Sequence, residues 1–420
     1  MKASERLSMP LRQTTPRCLP SGISRIVLTL LMCLVFTAPV ASAAPGGGGD
    51  SGRTTAIASP QVTAKSIYVY DMTSGVELYT KDPYEHRQVG SVVKLATALV
   101  VINNAELDEQ VKIIDNDLVD TTMYSNMNLQ AGDTLTVSQL LYGLMIPSGN
   151  DGAKALARYV GGKLSGSDDP RIATGAFVQE MNNYAASIGL KDSRFTVPDG
   201  TDAPNSYSCA HDVTMLAQKV MENDFLRGVV SEPGYRFYSV GPENRAYESE
   251  TTNEFIKAGS SYQDASVVGV KTGTTEEAGG NVVLAREVNG GSNIVLISII
   301  GADHSYETLE DARWDDAEAI INDMDSQFTW TAPNADGVLP GLNEQMAVWD
   351  VQFQGPPAIP VPTGDVTLGY RLQIGPVADP GQRAGSVYLY YGDDEVGTVP
   401  IYQSGDSASL SPLFRMAARS

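Results

Sequence analysis

Three cysteines and three histidines in 420 residues leave little material for several common chemistries. Cys18 and Cys33 lie in a leader-like region, so Cys209 alone remains beyond it and no intrachain disulfide can form there. His86, His211 and His304 are scattered. There is no His-Glu-x-x-His for a zinc peptidase and no Gly-x-Ser-x-Gly for a triad hydrolase. No metal and no cofactor are expected. Cations are scarce as well: 29 Lys and Arg stand against 50 Asp and Glu, a formal net charge of −21. So acidic a chain is poorly suited to nucleic acid or anionic lipid, and the charge serves solubility.

Long hydrophobic runs are also missing. The apolar stretch Ile26 to Phe36 falls short of the roughly 20 residues of a membrane span. Basic residues precede it and Ala41-Ser42-Ala43 follows, so residues 1–43 read as a cleavable export signal. An uncleaved N-terminal anchor is the alternative, and weak membrane association stays open. Five basic residues and one acidic residue lie within 1–43, so −21 becomes −25 without them. Residues 44–62, with Gly46 to Gly49, read as a flexible tether.

What is present falls into two domains. Within residues 63–328, Ser66 to Asp71 and Val76 to Tyr79 predict two strands around a Thr73-Ser74-Gly75 turn. Helical apolar spacing follows from Ser91, over Thr136 to Met145, after Asp151, over Ala176 to Ile188 and over His211 to Met221. Val267 to Lys271, Val282 to Ala285 and Ile294 to Ile300 predict strands, with an Asn289-Gly290 hairpin turn, and a helix is expected from Leu309 to Met324. A strand pair, many helices, a strand meander and a last helix give an α+β domain with helices packed on an antiparallel sheet. Residues 335–405 are proline-punctuated and alternating, including Met346 to Val351, and predict a small all-β domain. Residues 406–420 read as a flexible tail.

Three short motifs carry the candidate chemistry. Ser91-Val-Val-Lys94 is the one Ser-x-x-Lys in the chain, and residues three apart share a helix face. Lys94 can therefore reach back over a serine at a helix N-terminus, where free N–H groups favour developing negative charge. A serine hydroxyl needs such a base, and a lysine can act as one when burial or a second cation lowers its pKa. Taken alone, Ser91 could equally be an N-cap. Pro147-Ser148-Gly149-Asn150 sits on a tight connection between two apolar helices, where Ser148 and Asn150 are either caps or groups presented to a cleft. Lys271-Thr272-Gly273-Thr274 ends a short apolar strand.

In this order and these settings the motifs resemble the penicillin-recognising serine enzymes, and most of all the low-molecular-weight D-alanyl-D-alanine carboxypeptidases. The likeness extends to Asp71 to Tyr79, Leu140 to Ala153, Phe195 to Asp202 and Gly269 to Gly279, and covers about residues 64–325. It implies a β-lactamase/transpeptidase-like fold with a C-terminal β-rich stalk. It implies a peptidoglycan stem peptide ending in D-Ala-D-Ala as substrate, β-lactams as covalent inhibitors, and a cell-wall location outside the cytoplasmic membrane. The implied roles are Ser91 as nucleophile, Lys94 as general base, Ser148 as proton relay and Asn150 as a substrate-amide ligand that orients Lys94. Lys271 would supply positive potential and help keep Lys94 neutral. Thr272, Gly273 and Thr274 would form the substrate edge, with the Ser91 and Thr274 N–H groups as oxyanion hole. Arg313 aligns with an arginine used for the substrate carboxylate, against a surface ion pair as the plain reading. Val93 and Thr274 depart from the family's usual residues.

Rival readings have specific requirements. A β-lactamase needs a carboxylate to activate water against the acyl-enzyme. Glu180-Met-Asn-Asn183 offers one, but at the wrong spacing and within a regular helix. A D,D-endopeptidase of the same superfamily and a non-catalytic penicillin- or wall-binding module are the remaining alternatives.

Overall fold

The computed structural model describes residues 35–37, 57, 60–376 and 378–404. The expected signal (apart from 35–37), most of the tether and the tail from 406 lie outside them. The architecture is organised by one antiparallel ten-stranded sheet. From one edge its strands run Val35–Thr37, Leu368–Ile374, Arg383–Tyr391, Asp394–Gln403, Val76–Lys81, Ser66–Asp71, Asn293–Ala302, Gly279–Val288 and Val267–Thr275, with Val351–Gln352 also pairing to Asp394–Gln403.

Successive strand side chains point to opposite faces, and here both faces are apolar. Tyr68, Val283, Ala285, Leu296 and Ile300 join the core beneath the helices. Their neighbours Ile67, Val69, Val282, Leu284, Ile297 and Ile299 join a second core, which includes Ala317, Ile320 and Met324 of the helix Arg313–Gln327. Within the first core lies the helix Lys94–Asn104, buried from Lys94 through Val101. At about 2 kcal/mol for each fully buried Leu or Val, this element is fixed by its surroundings rather than by helix propensity.

The fold class is the expected α+β, followed by an all-β segment with one helical turn set. That segment's strands continue the main sheet through Gly397, which pairs with Val76. Val387, Leu389 and Tyr391 share the second core with Val69 and Leu78. Buried Asp71 ties the corner. It accepts from the Thr73 and Ser74 N–H groups, Asn293 Nδ2 and Trp330 Nε1.

Some elements differ from expectation. The first half of Met346 to Val351 belongs to a helix, Leu342–Val348, because Leu342 and Met346, four apart, bury one face; only Val351 is strand. The last large helix begins at Arg313, not Leu309; Leu309 takes φ +59 and is exposed in a loop closed by Ala312 N–H to Asp303 O. The helix expected from Ala176 starts at Pro170, capped by Asp169. The helix Asp224–Ser231 and the hairpin Gly234–Tyr238/Ala246–Glu250 carried no expectation.

Candidate active site

The site forms where three elements meet. Ser91 lies in a 3₁₀ turn, Gly90–Val93, that runs directly into the Lys94–Asn104 helix. Lys94 Nζ donates to Ser91 Oγ at 2.7 Å, to Asn150 Oδ1 at 2.7 Å and to the Asp199 carbonyl at 2.5 Å. The lysine is fully buried, and burial brings its pKa down from the ordinary 10.5 to about 8, against the upward pull of Asp199 and Asp151.

Asn150 is presented by the turn between the helices Val137–Met145 and Asn150–Ser165. Ser148 holds φ +63, a left-handed conformation that costs a non-glycine residue on the order of 1 kcal/mol. Gly149 has to be glycine: a Cβ there would lie 2.7 Å from the Gly143 carbonyl. The strained turn aims Ser148 Oγ at Lys271 Nζ, 2.8 Å away. Lys271 also donates to the Thr272 carbonyl at 2.8 Å. Its pKa lies well below the usual value, first through burial and then through the Lys94 and Arg313 cations.

The strand Val267–Thr275 passes close against the nucleophile turn. A Cβ on Gly273 would come within 2.6 Å of Val89 O, 2.9 Å of Val92 N and 3.0 Å of Ser91 N. On its other side, Arg313 Nη1 donates to Gly273 O and Asn281 O at 3.0 Å, Nη2 to Thr274 Oγ1 at 2.5 Å, and Nε to Asp311 at 2.6 Å. Ser91, Ser148, Asn150 and Thr272 to Thr275 all line one cleft of about 950 Å³, with Met123 to Ser125 on one wall and Arg313 and Trp314 on another.

Residues 53–303 match the profile of the S11 peptidases, described as D-alanyl-D-alanine carboxypeptidase. The chain belongs to this family. It is 34% identical over 272 residues to the D-alanyl-D-alanine carboxypeptidase of Streptomyces sp. strain K15, covering 64% of this chain and 89% of that one. It is 30% identical over 270 residues to DacD of Escherichia coli, covering 60% of this chain and 62% of the relative, so the match spans about three-fifths of that protein. The solved structure of the Streptomyces K15 DD-transpeptidase superposes with a TM-score of 0.56 at 32% identity, over 64% of this chain and 98% of that one.

Sequence reasoning thus named side chains that the fold brings together: Ser91, Lys94, Ser148, Asn150, Lys271, Thr272, Gly273, Thr274 and Arg313. Arg313 is not a surface ion pair; it is buried beneath the Gly273 strand. The lowering of both lysines comes first from burial, and each cation disfavours charge on the other. Glu180 and Asn183 bond to each other on an exposed helix face and do not line the cleft.

Two contributors were missed. Pro198-Asp199-Gly200 stands out in the sequence only within the likeness over Phe195 to Asp202, yet the Asp199 carbonyl accepts from Lys94 and the Pro198 carbonyl from Thr97 Oγ1 at 2.6 Å. Its available signal was Gly200, with φ +80 and a Cβ position only 2.1 Å from Gly90 O. Asp151, which the sequence marks only as the point after which a helix begins, has a carboxylate that holds a distant loop.

Proposed function

We infer that this chain is a serine-type D-alanyl-D-alanine carboxypeptidase acting on peptidoglycan stem peptides through an acyl-enzyme on Ser91. The observation that carries this reading is the 2.7 Å contact between Ser91 Oγ and a fully buried Lys94 whose pKa sits at about 8. A lysine so lowered is partly neutral near pH 7 and can accept the serine proton.

In acylation, Ser91 Oγ bonds to the carbonyl carbon of the penultimate D-alanine as its proton passes to Lys94 Nζ. The tetrahedral oxyanion is held by the Ser91 and Thr274 N–H groups, worth roughly 3 kcal/mol each. As the C–N bond breaks, Ser148 relays a proton from the lysine pair to the leaving D-alanine amine. Water then attacks the ester carbonyl carbon as its proton passes to Lys94; the C–Oγ bond breaks, and Lys94 returns the proton to Ser91 Oγ. Asn150 Oδ1 fixes Lys94, and its amide group is placed to face the substrate backbone. Lys271 and Arg313 give the carboxylate end of the cleft its positive potential, and Thr272 and Thr274 set hydroxyl groups along it. Because the Arg313 donors already serve Gly273, Asn281, Asp311 and Thr274, its part is to shape and charge that edge.

The leader-like residues 1–43 support export and action at the cell wall, with β-lactams as covalent inhibitors. A boundary near 328–335 separates the catalytic region from the β-rich extension. Because the Streptomyces K15 relative is described as a DD-transpeptidase, transfer of the acyl group to an amine is a second outcome of the same intermediate.

Incubation with a β-lactam followed by peptide mass spectrometry should place a stable adduct on the Ser91 peptide, and a D-Ala-D-Ala peptide should release D-alanine. Ser91→Ala should abolish both. Rapid drug hydrolysis without an adduct would instead indicate a β-lactamase, and inertness toward both reagents would sink the enzymatic reading.

A further inference from the structure

Asp151 is 2% exposed and sits one residue after the catalytic Asn150. Its carboxylate accepts from three backbone N–H groups: Met127 N–H, shared between its two oxygens at 3.0 and 3.2 Å, Leu129 N–H at 3.0 Å and Gly152 N–H at 2.9 Å. Backbone donors satisfy it, and it forms no ion pair among the described residues. The held residues, Met127 and Leu129, directly follow Met123, Tyr124 and Ser125, which line the cleft. Ser125 O in turn accepts from Asn150 N–H at 2.8 Å. Met127 Sδ fills the space over Gly143, where a Cβ would lie 2.1 Å away, and approaches Gly152. The wall is therefore pinned at its root by Asp151 and the Met127 plug. Its exposed tip is tied by short-range bonds: Asn126 Nδ2 donates to Tyr124 O and Thr121 O, Asn126 Oδ1 accepts from the Asn128 N–H, and the Met123 and Tyr124 N–H groups donate to Asp120 O.

We propose that Asp151 is a positioning residue of the acylation site: it fastens the Met123–Leu129 wall to the Ser148–Asn150 turn and supplies the negative charge that offsets the buried lysines. This rests on the acyl-enzyme reading above. Around Lys94 the charged groups are Asp151 from the helix Asn150–Ser165, Asp199 from the Pro198–Gly200 turn, and Lys271 from the strand Val267–Thr275, with Arg313 beyond it. Removing the Asp151 charge therefore favours neutral Lys94 at lower pH, even while the loosened wall slows the reaction. Those two effects have opposite signs at acid pH, which a purely structural role would not produce.

The test is the second-order rate of Ser91 acylation by a β-lactam, measured across pH for the full chain and variants. Asp151→Asn preserves shape but sets an NH₂ group against backbone donors. It should slow acylation about ten- to a hundred-fold at its optimum and move the acid limb to lower pH. Asp151→Glu keeps the charge and displaces it, so the rate should fall while the limb stays. Asn126→Ala, which touches only the exposed tip, should change the rate less than about two-fold. An unmoved limb in Asp151→Asn overturns the proposal. If that variant does not fold, an Asn126→Ala loss as large as that of Asp151→Glu overturns it instead. A wild-type chain that forms no Ser91 adduct would defeat the acyl-enzyme reading rather than this one.

Discussion

The sharpest consequence of the site is a pH profile with its midpoint fixed in advance. Acylation needs neutral Lys94, and burial sets that group at about 8. With one unit worth a factor of ten, about 1% of Lys94 is neutral at pH 6, about a tenth at pH 7 and about nine-tenths at pH 9. The acylation rate should therefore climb close to tenfold from pH 6 to 7 and about ninety-fold from pH 6 to 9, with a bend near 8. The sign follows from the cause. A buried lysine is lowered because water no longer stabilises its charged form, so the active form gains as protons are removed. Stopped-flow acylation by a chromogenic β-lactam, at saturation-free concentrations, reads the free enzyme directly. A flat profile between pH 6 and 9 would mean that Lys94 is not the proton acceptor. A limb centred well below 6 would mean that the cleft lowers it much further than burial against Asp199 and Asp151 allows.

Other substitutions probe the geometry around that lysine. Gly273→Ala places a methyl group within 3.0 Å of three backbone atoms of the nucleophile turn. It should lower kcat/KM about a hundred-fold through displacement of the oxyanion edge, with the circular-dichroism spectrum unchanged. Arg313→Met strips Gly273 O, Asn281 O and Thr274 Oγ1 of a buried donor and leaves Asp311 without its 2.6 Å partner. A loss of about 2–4 kcal/mol in denaturant unfolding is expected, together with a raised KM. Ser148→Gly and Ser148→Ala both delete the hydroxyl bonded to Lys271, so both should be slow enzymes. The glycine variant should be more stable by about 1 kcal/mol, because only glycine takes φ +63 without strain. Equal stabilities would show that the turn is not strained in solution.

The parts of this molecule that were legible share a property: the sequence carries them in side-chain type. Ser91, Lys94, Ser148, Asn150 and Lys271 could be singled out because few residue types suit the proposed nucleophile, base, relay or fixed cation, and the fold brings them together. Long periodic helices such as Val137–Met145 and the strand Asn293–Ala302 are legible because burial imposes their period. The helix Leu342–Val348 was not, since seven residues amid glycines and prolines satisfy alternation and helical spacing equally well. The exposed hairpin Gly234–Tyr238/Ala246–Glu250 buries mainly Tyr247, so its outward positions keep no readable pattern.

Backbone groups escape for a deeper reason. Every residue has a carbonyl, so nothing in the letters Pro198-Asp199 marks the two oxygens that hold Lys94 and Thr97. What does leave a trace is the space such approaches demand. Gly90, Gly149, Gly200 and Gly273 each stand where a Cβ would strike, or come within 3.1 Å of, another backbone segment. Together they bring the nucleophile turn, the Ser148 turn, the Asp199 turn and the Lys271 strand to hydrogen-bonding range. Val93 fits the same division. It is 4% exposed and packs in the apolar core, while Lys94 next to it keeps its 2.7 Å contact with Ser91. The unusual residue therefore alters what lies under the catalytic turn without touching its polar bonds. The catalytic distances are set by glycine-permitted backbone contacts above it, which is why they are intact despite the substitution.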